Sequence, residues 1–218
     1  MILNTLIEID WFDLVRRVNT REIRKISSTS TEYMWYSPVY TSVAREMITI
    51  AIDFYNSAVR YSDHDQSTVF VDFGGGSGKP CLIACESNTF SKIVSVDIDP
   101  FLVKRAEQNL YKLKRHSVAE SVKGNVENRE EMRSLFEKIK TELGSNYTLF
   151  VFNKNSYGKK VLENSLNIIN QFGPRHVIYL YQNPIHNQSL LSHNYSEIQK
   201  DAKPNNAHKN FKYSLFWK

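Results

Sequence analysis

The stretch that most constrains this chain runs from Val69 to Pro80, VFVDFGGGSGKP. Residues 68–73 are β-branched or aromatic apart from Asp72, which suits a strand buried on both faces. Gly74, Gly75, Gly76 and Gly78 follow, a turn so poor in Cβ atoms that a ligand can lie directly against the backbone. Pro80 fits the first turn of a helix, where its missing N–H would have had no intrahelical partner. Strand, glycine turn and helix N-terminus in that order make a cradle for a nucleotide-type cofactor.

The rest of the chain fits around that cradle as one compact unit. With 218 residues it is long enough to bury a sizeable core. Residues 67–218 are expected to hold the main domain and residues 1–66 an N-terminal helical cap. Apolar residues at 41% and charged residues at 23% exclude wholesale disorder. No apolar run approaches the roughly 20 residues that cross a bilayer, so no membrane partner is expected. The first residues, MILNTLIEIDWF, carry Glu8 and Asp10 early and lack a basic start, a poor signal peptide, which points to a cytoplasmic protein. Cys81 and Cys85, four apart on one predicted helix, read as packed core thiols in a reducing compartment. The six histidines show no metal-ligand spacing. Net charge is +5, and residues 200–218 hold five lysines against the single acid Asp201. Such an edge can attract an anionic partner or can be plain solvated surface.

Taken in order, residues 4–18 have a helical apolar rhythm through Leu6, Ile7, Trp11, Leu14, Val15 and Val18. Residues 19–31 are polar and Ser/Thr-rich, which predicts a loop or cover. Residues 33–40, YMWYSPVY, put four aromatics around Pro38, and that proline disfavours helix at Ser37. Tyr33, Trp35 and Tyr36 can form a lid over a cofactor or pack on the sheet. A helix is expected from Thr41 to about Arg60. After the glycine turn, strands are predicted at 92–97, 121–124, 147–153 and 176–182, alternating with helices at 99–115, 129–143 and 159–171. That alternation argues for a parallel sheet with right-handed crossovers. Residues 195–202 and 211–217 read as an antiparallel hairpin at the sheet edge.

Two phosphate-binding readings of the glycine turn are damaged. A dinucleotide fingerprint needs a third glycine where Lys79 stands. A Walker-type loop needs a hydroxyl after Gly78-Lys79, and Pro80 takes that place. What remains is Asp72-x-Gly74-x-Gly76-x-Gly78. On these residues the chain resembles the class I, Rossmann-like S-adenosylmethionine-dependent methyltransferases, from about Val69 onward, and in particular bacterial members with an N-terminal helical extension. Those members carry a Tyr-x-Pro segment ahead of the glycine turn, as Tyr36-Ser37-Pro38 does here, and an Asn-Pro after the fifth strand, as in Asn183-Pro184.

The resemblance implies a seven-stranded, mostly parallel sheet with helices on both faces and a C-terminal antiparallel hairpin. It implies S-adenosyl-L-methionine as cofactor, held by Tyr36, Asp72, Gly74, Gly76, Gly78, Asp97, Ile98, Asn125 and Asn153. Asp72 would order the turn or take the cofactor's ammonium group. Asp97 would accept both ribose hydroxyls, each a charge-assisted bond of about 1.5–3 kcal/mol. Asn125 stands where the family usually has Asp facing the adenine amino group. Asn155-Ser156-Tyr157 resembles the Pro-containing segment with which amino-group methyltransferases hold an acceptor nitrogen, with Ser in place of Pro, and makes Asn155 and Tyr157 the candidates for acceptor positioning. His186 can act as a base or stand by. The function implied is methyl transfer, to an amino nitrogen of a protein side chain, an RNA or a small amine. Two other readings stay open: a nicotinamide-dependent oxidoreductase, and a binding module that keeps the fold without catalysis.

Overall fold

A computed structural model of the chain describes residues 15–20, 24–26, 34–36, 41–59, 66–154, 158–182, 184–202 and 212–218. Strands β1 (Arg24–Ile26) and β2 (Met34–Tyr36) pair antiparallel as a small ribbon of their own. Helix α1 (Thr41–Phe54) follows and ends in a π-helical turn, Tyr55–Val59. Then come β3 (Ser67–Phe73), α2 (Lys79–Ala84), β4 (Lys92–Asp97), α3 (Pro100–Lys112), β5 (Ala119–Lys123), α4 (Arg129–Leu143) and β6 (Tyr147–Lys154). The chain finishes with α5 (Lys159–Phe172), β7 (His176–Gln182), α6 (Asn187–Ser192), β8 (Ser196–Ala202) and β9 (Tyr213–Trp217).

Seven strands form one sheet in the order β5-β4-β3-β6-β7-β9-β8. Strands β3 to β7 are parallel, and β9 and β8 add antiparallel at the edge. The expected seven-stranded Rossmann-like sheet with its C-terminal hairpin is therefore present. Strand order reverses between β3 and β6, so a crevice opens at the carboxyl ends of those two strands.

Period-two alternation assigns each side chain to a face. Phe70, Ile93, Phe150, Phe152, Ile178 and Leu180 pack with Val43, Met47 and Ala51 of α1 and Cys81 and Leu82 of α2. Val69, Val71, Val94, Leu149, Val151 and Tyr179 pack on the other face with Phe136 and Ile139 of α4 and Leu166 and Ile169 of α5. Helix starts follow local chemistry. Asp99 caps α3 by accepting the Phe101 N–H at 2.9 Å, and Asn128 caps α4 by accepting from Glu130 and Glu131. The two cysteines are free and buried in the α1 and α2 layer, as expected of core thiols.

Several boundaries differ from the sequence reading. β5 begins at Ala119, two residues before the expected 121–124, because Glu120 is held inside the strand by Lys138 at 2.6 Å and Lys92 at 3.0 Å. Residues 24–26, expected as loop, form β1; a three-residue strand is too short to carry a period. The first helix is α-helical only to Phe54, and Tyr55 then turns edge-on against Phe150 with its hydroxyl on the Gln66 carbonyl. The hairpin strands start at Ser196 and Tyr213, and the short α6 precedes them. Of the predicted first helix, Val15 and Arg16 are helical and the residues before them lie outside the described ones.

Candidate active site

The glycine turn hangs on the end of β4. The N–H groups of Gly74 and Gly75 both donate to the Val96 carbonyl, at 2.9 and 3.0 Å. Gly74, Gly76 and Gly78 all have positive φ, and at Gly78 (φ 85°) an added Cβ would also press on Ala106 of α3 at 3.0 Å. An added Cβ at Gly75 would run into the Ser95 hydroxyl. The cradle read from the sequence is thus a backbone surface kept bare by local packing.

Asp97 closes β4 and is 3% exposed. One of its oxygens accepts the Gly76 N–H and the other the Asp99 N–H, both at 2.8 Å. Burial raises its carboxyl above the usual range, against the lowering effect of the Asp99, Gly76 and Ile98 N–H groups. A carboxylate has about four lone-pair directions, so the group keeps acceptor capacity for a hydroxyl. Asp72 is 2% exposed, and its Oδ2 has no hydrogen-bond partner among the described residues. Burial, and then the Asp97 charge, hold the Asp72 carboxyl well above the usual range, with Lys154 opposing. Ser95 stands beside Asp72 in register on β4 with its hydroxyl buried.

Alternation sets Asp97, Ser95, Asp72, Lys154 and Gln182 in one polar row, all on the sheet face that α1 and α2 cover. Lys79, the first residue of α2, is 3% exposed and acts electrostatically on Lys154. Burial first, and Lys79 next, lower the Lys154 ammonium to about 8, while Asp72 raises it. Two carboxylates and two ammonium groups therefore meet at the switch point. The sequence reading did not single out Lys154 and Gln182 for this row, although counting by twos from Phe150 and Ile178 puts both on the Asp72 face.

The remaining candidates are placed as follows. Ile98 stands at the end of β4 and is 37% exposed, an apolar surface next to Asp97. Asn125 follows β5, half-buried, and its Oδ1 accepts the Glu127 N–H at 3.0 Å, so one lone pair of that oxygen is already used in its own turn. Asn153, the last but one residue of β6, lies on the opposite face from Asp72, with its amide donating to the Tyr179 hydroxyl at 2.8 Å. The structure therefore does not bring Asn153's side chain into the polar row. Tyr36 sits in β2 opposite Arg24, and its side chain is not described. Asn155, Ser156, Tyr157 and Asn183 lie outside the described residues. His186 is half-buried just ahead of α6.

Asn109 on α3 is a further residue the sequence reading passed over. It is fully buried, accepts the Asn19 N–H at 3.1 Å, and donates to the carbonyls of Asn19 and Ser77, each at 3.0 Å. It therefore joins the N-terminal extension to the glycine turn. Among the described residues no group of His, Cys, Asp and Glu is arranged to hold a metal, and no helix is long and apolar enough to cross a membrane.

Strand order, switch-point crevice and glycine turn define a Rossmann-like α/β protein with its site at the carboxyl ends of β3, β4 and β6. Comparison with solved structures makes this the class I S-adenosylmethionine-dependent methyltransferase fold. The METTL16 methyltransferase domain matches 84% of this chain and 69% of its own at 12% identity, with a TM-score of 0.58. The N-terminal domain of human METTL16 in complex with SAH matches over 94% of this chain and 77% of its own, at 12% identity and a TM-score of 0.57. The methyltransferase domain of bacterial CtHen1-CN matches over 80% and 98% respectively, at 15% identity and a TM-score of 0.51. No family model and no curated protein sequence matches the chain.

Proposed function

We propose that this protein is an S-adenosyl-L-methionine-dependent methyltransferase acting on an amino nitrogen. The observation that carries the reading is the pair Asp72 and Asp97 on either side of a Cβ-poor turn at the switch point, one with an unpartnered buried oxygen. The residues fit the donor. Gly74, Gly76 and Gly78 let an amino-acid chain approach the backbone, and Asp72 suits its ammonium. Asp97 suits a ribose diol, Ile98 offers an apolar surface to a purine ring, and Asn125 keeps an oxygen lone pair for an amino group. Human METTL16, of the same fold, was solved with SAH, which supports the same ligand class here.

When bound, the donor supplies a methyl group on a sulfonium, and the acceptor lone pair displaces a neutral thioether. The chain's task is then alignment, which can account for about 7–11 kcal/mol of a barrier. Asp72 and the glycine turn would hold the donor's amino-acid end, Asp97 its ribose, and Ile98 and Asn125 its purine. Asn155 and Tyr157 are the candidates for aligning the acceptor. Lys79 in place of a third glycine disfavours the nicotinamide reading.

Calorimetry with S-adenosylmethionine and S-adenosylhomocysteine tests the proposal. Micromolar-range binding, weakened by Asp97→Ala, is expected. Absence of binding by both ligands, or enhancement of NADH fluorescence in their place, overturns it.

A further inference from the structure

Helix α3 carries two large rings on its outer face, where a helix packed on a sheet is ordinarily polar. Phe101 is 43% exposed and Tyr111 70% exposed, and the helix sets them about 15 Å apart along its axis. Each ring sits with a second planar group. The Arg105 guanidinium lies 5.7 Å from the Phe101 centroid, and His116 stacks on Tyr111 with centroids 5.5 Å apart. The inward side of the helix is Leu102, Ala106 and Leu110, all buried, so the core does not call for either ring.

Between and beyond the rings the charge is mostly of one sign. Residues 101–116 hold Lys104, Arg105, Lys112, Lys114 and Arg115 against the single acid Glu107. Arg17 joins this end from the N-terminal segment: it is exposed, and its carbonyl accepts the Lys112 ammonium at 3.1 Å. Acids on the elements beside α3 are already engaged. Glu86, just past α2, holds Arg16 and Arg45, and Glu120 of β5 holds Lys92 and Lys138. Asp97 of β4 holds the Gly76 and Asp99 N–H groups, and Asp99 caps the helix. The helix dipole accounts for cations at the last turn. It does not account for Lys104 and Arg105 in the N-terminal half, nor for the exposed rings.

Cations along one face suit a chain of phosphates, and exposed planar groups suit bases that no duplex has stacked. Tyr, His, Phe and Arg are the side chains on which unpaired RNA bases stack. Gln108, exposed on the same face, can pair with the 2′-hydroxyl that sets RNA apart from DNA. We propose that the outer face of α3, from Phe101 to His116, docks single-stranded RNA, with Lys104 and Lys114 on phosphates and Tyr111 and Phe101 stacked on bases. Phe101 begins this face beside the carboxyl end of β4, so a docked strand leads to the crevice. The inference concerns a surface and stands apart from the donor reading.

The test is fluorescence anisotropy of the full chain with a labelled, unstructured RNA of about 12 nucleotides, between about 50 and 200 mM salt. Micromolar binding is expected, about fivefold tighter than to the DNA strand of the same sequence, the difference one hydrogen bond makes. Tyr111→Ala should weaken it about tenfold, and Tyr111→Phe should leave it unchanged, since stacking needs the ring and not the hydroxyl. Lys104→Gln with Lys114→Gln should lower the slope of log affinity against log salt by about 1.4, the share of two phosphates in a single strand. Lys160→Gln, on α5 across the sheet, should change neither quantity. Lys104, Tyr111 and Lys114 are exposed, so unchanged melting temperatures should separate lost contact from lost fold. No binding of the RNA at about 100 μM protein overturns the inference. So does equal or tighter binding of the DNA strand or of the RNA annealed to its complement, or binding of phosphatidylserine vesicles in place of RNA. An affinity that survives both Tyr111→Ala and the lysine pair overturns it as well. Donor binding is read separately by calorimetry, and its failure leaves this inference standing.

Discussion

The Asp97 carboxylate holds the Gly76 amide at 2.8 Å, so the end of β4 and the glycine turn are one unit. The other oxygen of the same group holds Asp99, the cap of α3. Asp97→Ala leaves two backbone N–H groups without their acceptor. The expected loss is about 2–4 kcal/mol of stability, with donor affinity falling at least tenfold. Urea unfolding and calorimetry measure the two effects, and an unchanged donor affinity would remove Asp97 from the site.

Asp72 carries a cost that function would explain. Burial holds its carboxyl well above the usual range, so the folded chain binds a proton that the unfolded chain releases once pH exceeds about 4. Its contribution to stability therefore falls as pH rises through the raised pKa, and the cost is fully present above it. Asp72→Asn, which mimics the neutral form, is expected to raise the melting temperature at pH 7 and to lose that advantage near pH 4. Donor affinity should drop in the same variant. A melting temperature unchanged at every pH would contradict this account.

Lys154 titrates with the opposite sign of charge. Its ammonium, lowered by burial to about 8 from an ordinary 10.5, binds fewer protons folded than unfolded between those two values. Its contribution to stability therefore rises with pH across that window, and its cost is complete below pH 8. Lys154→Met is expected to be more stable than the wild type by roughly 1–3 kcal/mol at pH 7, a gap that closes toward pH 10.5. Chemical unfolding at pH 7, 9 and 10.5 follows the gap, and a constant gap would show that charge is not its cause.

Gly78 adopts φ 85° and faces Ala106. Gly78→Ala must take a left-handed conformation that costs about 1–2 kcal/mol and must also push α3 away. Loss of donor binding with a melting temperature lower by several degrees is expected; full donor affinity would show that the turn tolerates a side chain.

Much of this was legible because long elements repeat their pattern. The parallel strands ending at Asp97, Lys154 and Gln182 are mostly apolar runs, and the glycine turn announces itself by residue type alone. Short or mixed elements were not legible. β5 hides a charged Glu120 whose partners, Lys92 and Lys138, come from other elements. The ribbon of β1 and β2 is too short for any period. Within the polar row, Asp72 and Asp97 were readable from their place at the ends of strands. Lys154 and Gln182 become meaningful only when the sheet sets β3, β6 and β7 side by side, and Asn153 turned to the far face because Tyr179 holds it there.

Asn109 joins Asn19 to Ser77 through a single buried amide. A tug on the chain ahead of Val18 is therefore felt at the glycine turn over the distance of one side chain. A fusion partner or affinity tag attached there would load that amide, so the placement of a tag would distort the glycine turn while leaving the sheet intact. Attachment after Lys218 puts no comparable strain on the turn.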